Sequence, residues 1–151
     1  MPYTKEAFGQ MPGGEAVHKY TLENKNGLTA GFLDLGAVWH SMLVPDREGK
    51  FADVVLGYDS PEHYLASDAH LGEIIGRNAN RIGGGRFELN GREYALTVNN
   101  GPNNLHSGND FYRNRLWEAR TWEEADESSV CFTLDRKSTR LNSSHSSVSR
   151  M

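Results

Sequence analysis

Twice in this chain an Asn-Gly pair divides two stretches of alternating apolar residues, and this feature constrains the fold most. In "GRFELNGREYALTV" (85–98), Phe87 and Leu89 lead into Asn90-Gly91, and Tyr94, Leu96 and Val98 follow. Asn and Gly accept the positive φ of a type I′ turn, whose twist matches that of the strands it joins. In "HKYTLENKNGLTAGFLDLG" (18–36), Tyr20 and Leu22 precede Asn26-Gly27, and Leu28, Ala30 and Phe32 share a face beyond it. Both segments predict β-hairpins.

The rest of the body follows the same grammar. "WHSMLVPDREGKFADVVLGY" (39–58) predicts a short strand, a Pro-Asp turn and a second apolar run at Val54, Val55 and Leu56. "DSPEHYLAS" (59–67) predicts a short helix, with Ser60 at the cap and Pro61 in the first turn. "RLWEARTWEEADESSVCFTLD" (115–135) predicts two strands around an acidic turn, with Val130, Phe132 and Leu134 on one face. No long helical period is present. The expected fold is all-β, an antiparallel β-sandwich or meander.

Charge separates the end of the chain from its body. All 20 Asp and Glu lie at or before Asp135, leaving residues 1–135 at net −8 and residues 136–151 at +4. "RKSTRLNSSHSSVSRM" (136–151) holds six serines and no alternation, so it is expected to be disordered. The domain reading is 1–135 for the sandwich segment and 136–151 for the tail. Asn142-Ser143-Ser144 is formally a glycosylation acceptor, of little weight without a secretory signal.

Several function classes are disfavoured. The chain has no basic stripe, which argues against nucleic acid as a partner. The first residues lack an apolar core, and no apolar run approaches a membrane span. Cys131 is the single cysteine, so no intrachain disulfide is possible. A soluble, reducing, cytoplasmic setting is the expectation, with no membrane partner.

Two stretches carry candidate chemistry. In "GRNANRIGGGRF" (76–87) the glycines invite a phosphate-site reading, but neither a G-x-G-x-x-G nor a G-x-x-x-x-G-K-[ST] spacing is present. Asn80 and Arg81 supply the donors and acceptor that hold neutral hydroxyls, as a polyol requires. In "NNGPNNLHSG" (99–108) a turn-rich run delivers His106, an imidazole suited to positioning or proton transfer. The other histidines read differently. His63 and His70 have an unusual spacing for a metal pair, and no metal site is expected. His18 and His40 lie in strand-like segments and read as structural. Trp39, Trp117 and Trp122 read as core or edge residues, and Cys131 as structural.

These motifs together carry a resemblance. "GRNANRIGGGRFELNGREYALTVNNGPNNLHSG" (76–108) closely resembles the signature region of aldose 1-epimerases, the galactose mutarotases. "LGAVWHSMLVPDREGKFADVVLGYDS" (35–60) resembles the segment before it, and "LWEA" (116–119) the strand after the loop histidine. The resemblance implies a large antiparallel β-sandwich and an isomerase of carbohydrate metabolism. It implies interconversion of α and β anomers of hexoses such as galactose and glucose, without metal or cofactor. By motif, Asn80 and Arg81 match the family's substrate-binding pair. His106 matches its first active-site histidine, which orients the substrate. The family's general acid His, its sugar-binding Asp and its general base Glu lie further along than this chain runs. The chain is therefore expected to be inactive by itself. The tail resembles translated vector or adaptor sequence, with a junction near Asp135-Arg136. Rival readings are a non-catalytic carbohydrate-binding sandwich, an epimerase of phosphorylated hexoses recruiting Arg77 or Arg86, and a structural β-domain without ligand. Oligomeric state is not legible.

Overall fold

A computed structural model of the chain describes residues 3–109, 111–124, 127–134 and 145–150. Five strands run consecutively as an antiparallel meander: β1 (Tyr3–Gln10), β2 (Ala16–Glu23), β3 (Thr29–Leu33), β4 (Trp39–Pro45) and β5 (Phe51–Asp53). A second sheet holds β10 (Glu118–Glu124), β11 (Glu127–Leu134) and β12 (His145–Arg150), again antiparallel. Between the two sheets in sequence lie a short helix, α1 (Pro61–Ala66), and four short strands. These are β6 (Arg81–Ile82), β7 (Arg86–Leu89), β8 (Arg92–Ala95) and β9 (Asn104–Leu105).

The period of two decides which face each residue covers. Tyr20 and Leu22 on β2 and Ala30 and Phe32 on β3 are buried, and they meet Val130, Phe132 and Leu134 of β11 in one core, closed by Tyr112 and Trp117. Tyr20 packs edge-on against Phe132, centroids 5.8 Å apart. Residues of the opposite parity, Val17, Leu33 and Leu35, form a second cluster with Val38 and with Tyr64 from α1. The first sheet thus carries the second sheet on one face and a helix against the other. The helix lies close: a Cβ at Gly9 would stand 2.6 Å from Pro61 Cδ, so only glycine fits there.

Both Asn-Gly turns form. Asn90 and Gly91 have φ of 54° and 71°, and β7 pairs with β8 in register Phe87↔Tyr94. This ribbon packs mostly on itself. Phe87 and Tyr94 stack at 5.2 Å, Arg92 covers the Tyr94 ring, and Arg86 pairs with Glu93 at 2.8 Å. The turn between β2 and β3 is fixed by the Asn24 carboxamide, which accepts from the N–H groups of Asn26 and Leu28. Helix α1 starts at Pro61 with Ser60 in the cap position, although the Ser60 side chain makes no capping bond.

Two expectations are corrected. The strand after the Pro-Asp turn is Phe51–Asp53, and the apolar run behind it is exposed, Val54 at 64% and Leu56 at 77%. Asp53 is the cause. Its carboxylate accepts from the N–H groups of Met42 at 2.9 Å and Val55 at 3.0 Å, which turns the chain out of the ladder. At the other end, His145–Arg150 is a strand on β11, from Leu134↔His145 to Ser129↔Arg150, where the sequence predicts disorder. A ladder is built from backbone groups, so a polar segment can complete the hydrogen bonding of an apolar strand. The remainder of that tail, with Asn142, lies outside the described residues.

Candidate functional site

The site is assembled by a very short strand pairing. β6 and β9 meet over two residues each, Arg81 opposite Leu105 and Ile82 opposite Asn104. The loop that presents β9 is held by its own asparagines. Asn99 brackets the Leu105 peptide, its carboxamide donating to the Leu105 carbonyl at 3.0 Å and accepting from the Leu105 N–H at 2.7 Å. Asn104 is buried and donates to the Thr97 carbonyl at 2.7 Å. The turn-rich run is therefore a rigid mount.

That mount brings Asn80, Arg81 and His106 together. The His106 N–H donates to the Asn80 carbonyl at 3.0 Å, and the Asn80 N–H donates to His106 Nδ1 at 3.1 Å. Arg81 is held in plane by two acceptors: Nε donates to Asn100 Oδ1 at 2.8 Å and Nη1 to Asn80 Oδ1 at 3.2 Å. Its remaining N–H groups are available for a ligand. Asn80, His106 and Ser107 all have positive φ, of 62°, 52° and 70°. Non-glycine residues in that region are uncommon and concentrate where geometry is over-determined, often at functional sites. Ser107 adds a further tie, its hydroxyl accepting from the Asn78 N–H at 2.7 Å. Gly76, which opens the Asn-Arg segment, has no room for a side chain, since a Cβ would lie 2.4 Å from the Tyr112 ring.

Because Nδ1 accepts from a backbone N–H, neutral His106 carries its proton on Nε2. Burial lowers its pKa below the ordinary imidazole value, and the neighbouring His70 and Arg81 push in the same direction. At neutral pH the residue is a hydrogen-bond donor through Nε2–H, without charge.

The structure adds partners that sequence reading missed. His70 packs edge-on against His106, centroids 4.7 Å apart, and against Phe111 at 5.4 Å. Its Nδ1 is paired with the Glu73 carboxylate, whose side chain is 4% exposed and lies 3.9 Å from Arg113 Nε. Burial raises the Glu73 carboxyl, against the opposing pull of His70 and Arg113. His70, Asn100, Leu105, Phe111 and Arg113 line one cleft of about 450 Å³. Nothing in the spacing of "DAHLGE" marks His70 or Glu73. The remaining histidines are elsewhere: His18 is bonded to buried Asp34, and His40 to Tyr64 at 2.9 Å. His63 is exposed on α1. Trp117 is buried in the core, while Trp39 is exposed at the start of β4.

A β-sandwich with polar residues on loops between its sheets defines a class, and solved structures show which. The chain superposes on galactose 1-epimerase from Lactobacillus acidophilus with a TM-score of 0.77 at 24% identity, over 89% of this chain and 39% of that one. It superposes on the GalM/aldose epimerase homologue from C. elegans with a TM-score of 0.67 at 38% identity, over 77% and 35%. The fold is that of the galactose epimerases. The aldose 1-epimerase family model matches residues 18–143, and the chain belongs to that family. That match runs past Asp135, beyond the boundary expected from composition. Galactose mutarotase of Bos taurus is 41% identical over 118 residues, 78% of this chain and 34% of the relative. Aldose 1-epimerase of Haemophilus influenzae is 38% identical over 82% of this chain and 34% of the relative. The chain spans about a third of the length of these relatives.

Proposed function

We propose that this chain carries the sugar-holding part of an aldose 1-epimerase site, which interconverts the α and β anomers of hexoses such as galactose and glucose. The observation that carries the reading is the β6–β9 pairing, which gathers Asn80, Arg81 and His106 across a long sequence gap. An uncharged imidazole donor, a fixed guanidinium fork and a carboxamide suit a neutral polyol. Arg86, one of the two arginines a phosphorylated hexose would recruit, is paired with Glu93 at 2.8 Å.

Anomer exchange needs a base to take the C1 hydroxyl proton while an acid protonates the ring oxygen. The C1–O5 bond breaks to an open aldehyde, the C1–C2 bond rotates, and the ring closes on the other face. In this reading Arg81, Asn80 and His106 hold and orient the sugar, and the proton-transfer pair belongs to further residues of the family's site. The work fits a reducing compartment such as the cytoplasm. The lone Cys131 is half-buried in β11, and no helix among the described residues is long and apolar enough to cross a membrane.

The test is saturation transfer from the protein to the ring protons of galactose and glucose. Transfer is expected for the chain and is lost in Arg81→Ala, an exposed position whose change leaves the core untouched. Absence of transfer to either sugar at millimolar concentration overturns the reading.

A further inference from the structure

His70 and Glu73 have no role in the site as read from the family motifs, yet His70 packs against His106 and is paired with Glu73. A buried carboxylate is costly unless it is paired, and Glu73 places its oxygens between His70 Nδ1 and Arg113. Arg113 is itself fixed, donating from Nη1 to the Ser67 carbonyl. The pairing fixes the His70 ring by one nitrogen, and Phe111 covers it from another side. The ring then meets the His106 imidazole edge-on.

The result is two imidazoles in contact with unequal partners. His70 faces a carboxylate through Nδ1. His106 faces a backbone N–H at Nδ1, with Arg81 nearby on β6. Asp68 lines the cleft together with His70 and Arg113. Burial, His70 and Arg81 all push the His106 pKa down, which keeps that ring uncharged.

We propose that His70 is a positioning residue for His106: anchored by Glu73 through Nδ1, its ring holds the His106 imidazole in place and in the uncharged Nε2–H form that donates to a sugar oxygen. The role rests on the mutarotase reading for the identity of the ligand, and on the two-histidine geometry for everything else. It is not a catalytic role, since His70 acts through His106.

The test is long-range ¹H–¹⁵N spectroscopy of the 151-residue chain labelled in histidine, followed with pH and without sugar. His106 is expected to show the Nε2–H tautomer. In His70→Phe, which keeps a ring against His106, the midpoint of His106 is expected to move to higher pH, because His70 pushes it down. The same midpoint in both proteins, or a wild-type His106 in the Nδ1–H form, overturns the proposal. Should His70→Phe fail to give a dispersed spectrum, the midpoint is read in His70→Gln instead. Galactose is then added. The pH below which its affinity falls is expected to be higher in His70→Phe, a change that loss of packing alone does not produce. Coupled histidines with no response to galactose in either protein support the two-histidine device and overturn the sugar reading instead.

Discussion

Asn80 and His106 hold each other by two hydrogen bonds: the His106 N–H donates to the Asn80 carbonyl at 3.0 Å, and the Asn80 N–H donates to the His106 ring at 3.1 Å. The first bond joins the two backbones just beyond the β6–β9 pairing, and the second ties the Asn80 backbone to the imidazole. Because both involve the Asn80 peptide, the aim of the imidazole is set by backbone geometry.

Protonation of His106 at Nδ1 breaks the second bond. Sugar affinity is therefore expected to stay constant through neutral pH and to fall only below the ordinary imidazole range, about 6.5. Calorimetric titration of galactose across pH checks this. A fall in affinity that begins above neutrality contradicts it.

The same displacement has a sign for stability. His106 and His40 both have pKa values lowered chiefly by burial. Between the lowered folded values and the unfolded value of about 6.5, the unfolded chain binds more protons. Stability from these groups is present above that value and is lost as pH falls through the folded ones. Urea midpoints are expected to decline from pH 7 towards pH 5. A flat profile over that interval counts against the assignment.

Arg81 is expected to tolerate no conservative exchange. Lysine cannot meet both Asn100 and Asn80 with a planar fork. Arg81→Lys should leave the melting temperature near the wild-type value and weaken galactose binding by about tenfold, about 1.4 kcal/mol. Unchanged affinity would show that the fork is not used on the sugar.

Phe132 joins the two sheets through Tyr20 and Phe32, with ring centroids 5.8 and 6.5 Å away. Phe132→Ala is expected to cost about 3–5 kcal/mol by denaturant unfolding. Its effect should be much larger than that of Phe87→Ala on the exposed ribbon.

The hairpins were legible because their signal is local: an Asn-Gly pair accepts the backbone of a tight turn whatever surrounds it, and the strands beside it declare their faces by alternation. Asn80, Arg81 and His106 were legible as residue types, and the family motif fixed which ones to choose. Their junction was not, because β6 and β9 are too short to have a period. His70 and Glu73 were invisible for a related reason, since their meaning lies in a contact with a loop far along the chain. Val54–Leu56 misled because a single carboxylate, Asp53, overrides an apolar pattern. The strand at His145–Arg150 misled because backbone pairing makes little demand on side-chain polarity.

The order of the strands also sets a schedule for synthesis. β1 to β5 pair only with sequence neighbours, so this sheet can form as it leaves the ribosome. Its apolar face, Tyr20, Leu22, Ala30 and Phe32, waits for β11. Roughly a hundred residues separate the two, about 5–20 s of translation at ~5–20 residues per second. For that interval one half of the core is laid down before the strand that brings Val130 and Phe132 to cover it.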